Sequence, residues 1–219
     1  PTQGSETGRA YDDEYFYAAG WFYDTEPSGI RVNSLYRDHW NGDDAFAIYV
    51  DAFNDNQNAK WFGVTPAGMR FDQLVSDDGQ TLNGSWDGYW DARSVVDGEG
   101  WFAEVRIPFS TLGFQTVDGR AVMGLTVTRL VARLNERVTS PAIGQGYESR
   151  QPSIARDVVL SGVRTGKPVD LIPYLLTGVQ QTARVADAGS HYVSGRDMQR
   201  EIGLDARYAL SSELTLDVT

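Results

Sequence analysis

SWDGYWDARSVVDGEGWFAEVRIPF, residues 85–109, sets three of the chain's six tryptophans beside Asp87, Asp91, Asp97 and Glu99. From Gly100 onward it alternates as a half-buried strand does: Trp101, Ala103, Val105 and Ile107 share one face, and Glu104 and Arg106 the other. Pro108 has no N–H to donate and stops the ladder. Earlier in the stretch, an extended backbone sets Trp86, Gly88 and Trp90 on one face and Asp87, Tyr89 and Asp91 on the other. Two readings stand side by side. Either both indoles fill a core, each burying roughly 150–250 Å², or the glycine between them leaves a flat slot the width of a sugar ring. Trp101 and Trp21 read as core.

The same alternation runs outward on both sides. EYFYAAGWFYD (Glu14–Asp24) reads as a strand bounded by acids, and DAFAIYVDAF sets Phe46, Ile48 and Val50 against Ala45, Ala47 and Tyr49. NDNQNA is a loop by composition, and KWFGVTP returns as the hairpin partner. AVMGLTVTRLVARLNE places Met123, Leu125, Val127 and Val131 on one face. Short strands at this density predict an all-β antiparallel sandwich rather than a βαβ fold.

After residues 165–168 the character changes. VDLIPYLLTGVQ, REIGLDARYAL and LTLDVT read as strands, the last two joined by a tight turn at Ser211–Glu213 and the first two separated by the 20 residues Gln181–Arg200. Leu204, Ala206, Tyr208 and Leu210 face one way while Asp205 and Arg207 face the other, the apolar-out, polar-in pattern of an outer-membrane barrel hairpin that a soluble sheet edge also produces.

Composition narrows the function classes. Net charge is −11, and Tyr11–Glu99 holds 17 acids against 5 bases. Such a front half repels phosphate backbones, so nucleic acid is not an expected partner. No apolar run reaches helix-spanning length, a test that leaves strands untouched. PTQGSETGRA lacks the charged start and apolar stretch of a secretory signal, as a mature or trimmed product would. The absence of cysteine excludes disulfides and thiol chemistry and fits an exported bacterial protein.

YDDEYFYAAGWFYDTEPSGI, DDAFAIYVDAFNDNQNAKWFGVTPAGMRFD, the Ser85–Phe109 stretch with its continuation STLGF, and NERV follow one another in an order and spacing that resemble a bacterial outer-membrane family. In that family a periplasmic domain like the family 9 carbohydrate-binding module precedes a β-barrel. The resemblance covers Tyr11 to Gly162. It implies a sandwich over residues 1–166 with the family's N-terminal strand absent, and the first barrel-like strands over 167–219. It also implies a periplasmic or outer-membrane location and, by analogy, a glycan or other envelope ligand held by tryptophans. Three barrel strands cannot close in lipid, so docking on a membrane protein complex as an accessory subunit is the second expectation. A component that hydrolyses glycosidic bonds is the third.

Candidate ligand-binding residues are Trp86, Tyr89 and Trp90, with Trp40 in the polar loop RDHWNGDD and Trp61 at the start of a strand. Asp43, Asp44, Asp51, Asn54 and Asp55 supply oxygens of the kind calcium takes. The spacing is not that of an EF-hand, and the same residues are turn formers. Only His39 and His191 are present, so no zinc set is available. Glycoside hydrolysis needs two carboxylates across a cleft, and 30 acids nominate no pair. Arg129, Arg133 and Arg137 in RLVARLNER either line a surface for acidic groups or are solvated and salt-bridged.

Overall fold

The structure is a computed structural model that describes residues 1–164, 169–185, 189, 191–209 and 215–218. Two compact units divide it, residues 1–166 and 167–219. In the first, eleven strands build two antiparallel sheets. They are β1 (Ser5–Tyr11), β2 (Tyr15–Tyr23), β3 (Ala45–Asp51), β4 (Ala59–Val64), β5 (Arg70–Ser76) and β6 (Thr81–Asn83). There follow β7 (Asp91–Val96), β8 (Gly100–Pro108), β9 (Arg120–Val131), β10 (Glu136–Ser140) and β11 (Arg156–Ser161). The smaller sheet runs β1-β2-β8-β7. The larger runs β10-β9-β3-β4-β5-β6, with β11 also on β9.

Period-two alternation decides which side chains meet between the sheets. The smaller sheet buries Phe16, Ala18 and Phe22 of β2 with Trp101, Ala103, Val105 and Ile107 of β8, while the larger sends in Phe46, Ile48, Phe62, Val64, Met123 and Leu125. This is the antiparallel β-sandwich that the alternation predicts. Trp101 is core as expected. Trp21 is not: Phe22 occupies the inward position, so its neighbour on β2 faces outward, 47% exposed, against Phe102. A strand also precedes the YDDE segment. SETGRAY carries no apolar alternation and is exposed throughout, but it pairs in full register with β2.

One charged group breaks the apolar pattern of the inner face. Arg129 has the parity of Met123 and Leu125 and is 2% exposed. Its guanidinium donates to the Gly4 carbonyl at 2.7 Å, the Ser5 hydroxyl at 3.0 Å and the Tyr23 carbonyl at 2.9 Å. The buried Asp24 lies 3.9 Å from it and accepts a two-pronged contact from Arg133 at 2.6 and 3.1 Å. This cluster ties the N-terminal segment to the larger sheet, so two of the three RLVARLNER arginines are internal ties.

The second unit is a three-stranded antiparallel sheet of β12 (Val169–Val185), β13 (Tyr192–Ala209) and β14 (Thr215–Val218). The first two strands pair from Val169↔Tyr208 to Val185↔Tyr192, so most of Gln181–Arg200 is strand and the connection is only residues 186–191. The long connection expected there is absent, because alternation persists through GVQQTARV and YVSGRDMQR. The proposed turn at Ser211–Glu213, and Leu210, lie outside the described residues. No described helix is long and apolar enough to cross a membrane, which says nothing of strands.

Candidate functional site

The residues that face away from the core on the larger sheet form an aromatic groove. Across the sheet Tyr49 of β3 lies opposite Trp61 of β4, and Ala47 opposite Gly63, which in turn faces Phe71 of β5. Tyr49 and Trp61 stack at 5.1 Å between ring centroids and 28° between planes, and Phe71 meets Trp61 edge-on at 5.5 Å. Phe71 can lie flat because Gly63 has no side chain: a Cβ there would sit 2.0 Å from the Phe71 ring. Trp40 closes one side, nearly parallel to Phe71 at 6.3 Å. Ala45, Ala47, Thr128 and Leu130 complete the floor, and Arg137 of β10 stands at the rim. Tyr49 and Phe71 are buried, Trp61 is half-buried, and Trp40 is 42% exposed. The groove is shallow and opens to solvent, with a cavity volume of only about 40 Å³, so it offers a ring-lined surface rather than an enclosing pocket.

Trp40 comes from a loop, and Asp43 holds that loop. One Asp43 carboxylate oxygen accepts from the backbone N–H of Asn33 and, at 3.1 Å, of Ser34; the other accepts from Asn41 at 3.0 Å. The Trp40 indole N–H donates to the Asp43 carbonyl at 3.1 Å. The loop also extends the edge of β5, with the Asp38 N–H on the Arg70 carbonyl at 3.0 Å and the Asp72 N–H on the Asp38 carboxylate at 3.1 Å.

The sequence candidates therefore separate. Trp40 and Trp61 come together in the groove. Trp86 and Trp90 do not form an open slot. Both meet Phe62 edge-on, at 5.9 and 5.4 Å, which places them on the inner side of the sandwich. Trp90 is 2% exposed, and the Trp86 ring lies over Gly88, 2.7 Å from where a Cβ would stand. Of the two readings of this stretch, core packing is the one observed. Tyr89 points the other way, 69% exposed, away from any partner ring. Tyr49, Phe71 and Arg137 are the groove residues that residue-type reasoning did not single out. For Tyr49 the signal was parity, since it sits on the face opposite Phe46, Ile48 and Val50; Phe71 shares parity with the buried Val75, so alternation within β5 does not mark it.

The five oxygen-bearing candidates do not assemble around one ion. Asp43 and Asp44 precede β3, whereas Asp51 ends it and Asn54 and Asp55 follow, roughly 20 Å away along an extended strand. Besides the Asp43 contacts, Asp44 accepts from the Ala132 N–H at 3.0 Å. Asp51 accepts from Asp55 at 3.2 Å and Asn56 at 2.8 Å. Asp55 accepts from the Gln57 and Asn58 N–H groups at 2.7 Å, and Asn54 sits in a turn with φ of 53°. Burial holds the Asp44 and Asp51 carboxyls above the usual range. Among the described residues, the carboxylates that do converge are Asp38, Asp72 and Asp87, within 4.8 Å. The Arg37 guanidinium already bridges them, 2.6 Å from Asp72, 3.2 Å from Asp38 and 3.4 Å from Asp87.

No protein-family model matches the sequence, and no curated protein does. Among solved structures, the chain is similar to a candidate carbohydrate-binding protein from Bacteroides uniformis. The TM-score is 0.57 at 14% identity, over 74% of this chain and 79% of that one. The likeness is one of fold: the chain shares that protein's β-sandwich.

Proposed function

We propose that the sandwich is a glycan-binding module whose site is the Trp40–Trp61 groove. The observation that carries this reading is the grouping of four aromatic rings, Trp40 from its loop with Tyr49, Trp61 and Phe71, on the outer face of a sheet, around a small apolar cluster separate from the core between the sheets. Flat rings accept the apolar faces of pyranoses, and the rim arginine offers hydrogen bonds to hydroxyls, the mostly apolar lining with few polar groups that ligand sites use. The fold neighbour from Bacteroides uniformis supports the same class of ligand. None of the residues lining the groove is a carboxylate, so the paired acids of glycoside hydrolysis have no counterpart there. The test is isothermal titration of the chain with a panel of oligosaccharides. Trp40→Ala and Trp61→Ala should each weaken binding about tenfold or more, as central aromatic contacts do, with unchanged circular dichroism. No saturable binding to any oligosaccharide removes the proposal.

A cell-envelope location goes with this reading, and the second unit supports it. One face of β12–β13 carries the pairs Val169/Tyr208, Leu171/Ala206, Pro173/Leu204 and Leu175/Ile202, and further along Thr177/Arg200, Val179/Met198 and Gln181/Arg196; the other mixes Ile172/Asp205, Tyr174/Gly203, Leu176/Glu201 and Gln180/Asp197. The four pairs from Val169/Tyr208 to Leu175/Ile202, apolar on one side, suit the outer surface of a membrane barrel. Lipid cannot satisfy open edges, so this placement requires further strands at both sides of the sheet, from the same protein or a membrane partner. Fractionation of the producing bacterium checks it: recovery in soluble periplasm rather than with outer membrane counts against it.

A further inference from the structure

Arg137 is the least committed charge around the groove, and it points to the kind of sugar bound. Its neighbours Arg129 and Arg133 are locked onto Asp24 and backbone carbonyls. Among the described residues, the Arg137 side chain makes no hydrogen bond and no ion pair. It stands where the aromatic groove meets a second, open depression of about 400 Å³ between β10 and the loop of residues 141–149, and it lines both. The two acids of that depression are already engaged. Glu136 accepts from the N–H and the hydroxyl of Thr2, which hold its carboxyl below the usual range, and Glu148 pairs with Arg150 at 2.8 Å. A guanidinium paired with neither of these carboxylates, beside stacked rings, presents a planar fork that matches a carboxylate two-pronged.

Resting on the glycan-binding reading above, we propose that the groove selects an acidic sugar: a uronic acid unit whose ring lies on Trp40 and Trp61 and whose carboxylate is gripped by Arg137. The chain's net charge of −11 disfavours dense polyanions, so the match is to a single carboxylate on a stacked ring rather than to clustered sulfates.

The experiment titrates the whole 219-residue chain with tetramers of galacturonic, glucuronic and mannuronic acid, each beside its methyl ester, which keeps the ring and removes the charge. At least one acid should bind about tenfold or more tighter than its ester, and added salt should weaken the acid alone. Arg137→Met should bring acid and ester to equal affinity. Arg137→Lys should recover only part of the preference, because an ammonium lacks the fork. If esters or neutral glycans bind as tightly as the acids, or Arg137→Met leaves the preference intact, the acidic-sugar inference falls and the glycan site stands. If no acid, ester or neutral glycan binds, both fall.

Discussion

Two tryptophan pairs, Trp86/Trp90 and Trp40/Trp61, sit in similar sequence, aromatic residues among Asp, Asn and Gly, and finish on opposite sides of the same sandwich. Local composition does not separate them; parity does. Trp90 keeps step with Ala92 of β7, which is buried, and so turns inward. Trp61 precedes Phe62, whose exposure is 0%, and so turns outward. Trp40 has no strand to set its parity, and the Asp43 carboxylate fixes it instead. A ring that shares parity with core residues is packing; a ring that opposes it needs another reason to be there.

The largest effect should follow from attacking the inner pair. Trp90→Ala should destabilise by about 3–5 kcal/mol, the cost of emptying an indole-sized space in a close-packed core. Trp40→Ala, which removes a 42% exposed ring, should cost about 1 kcal/mol or less. Urea denaturation of both variants makes the comparison. Equal losses would mean that the outer rings form a second core rather than a contact face, and the groove would lose its functional meaning.

The arginines repeat the contrast on a smaller scale. Arg129→Met strips donors from the Gly4 and Tyr23 carbonyls and leaves the buried Asp24 with Arg133 as its ion pair. Breaking a buried charge cluster in this way should cost about 3 kcal/mol. Arg137→Met removes no internal contact and should stay within about 0.5 kcal/mol. Denaturation midpoints compare the two directly, and a comparable loss at Arg137 would show that it too is a structural tie.

How much of this was legible follows the same rule. β2, β3, β4 and β8 could be read from sequence as strands, and β8 with its inward face, because a period of two leaves only two arrangements; the inward face of β2 was missed, since Trp21 and Phe22 are both aromatic and it is Phe22 that points in. β1 could not: SETGRAY has no apolar face, and its strand character comes from register with β2. The length of β12 and β13 was hidden because polar residues on both faces of their distal ends mimic a loop. Trp40 and Trp61 were readable as exposed rings, but their meeting was not. It depends on a loop folding back over β5 through Asp38 and Asp43, contacts that no periodicity encodes. The Asp and Asn clusters were ambiguous for a chemical reason: the oxygens that suit calcium are the oxygens that cap backbone N–H groups in turns.

Those capping and buried carboxylates give the smallest predicted effect, a pH dependence with two opposed parts. Burial raises the carboxyls of Asp44, Asp51 and Asp72. A raised value means that the folded state binds the proton more readily than the unfolded chain, so each group adds stability as pH falls from neutral through its shifted value. Asp12, held by the N–H groups of Glu14 and Tyr15, and Glu136, held by Thr2, are lowered. Their contribution is complete above the unfolded values of 3.8 and 4.5 and is lost as pH falls below them. Thermal midpoints followed by circular dichroism should therefore rise on mild acidification by a few degrees at most, pass through a maximum, and drop in stronger acid. Asp44→Asn should shrink the acid-side rise without moving the drop, since Asp44 belongs to the first group alone. A midpoint that falls steadily from neutrality would mean that the lowered groups outweigh the buried ones, and that the Asp44 and Asp51 carboxyls are less costly to the fold than their burial implies.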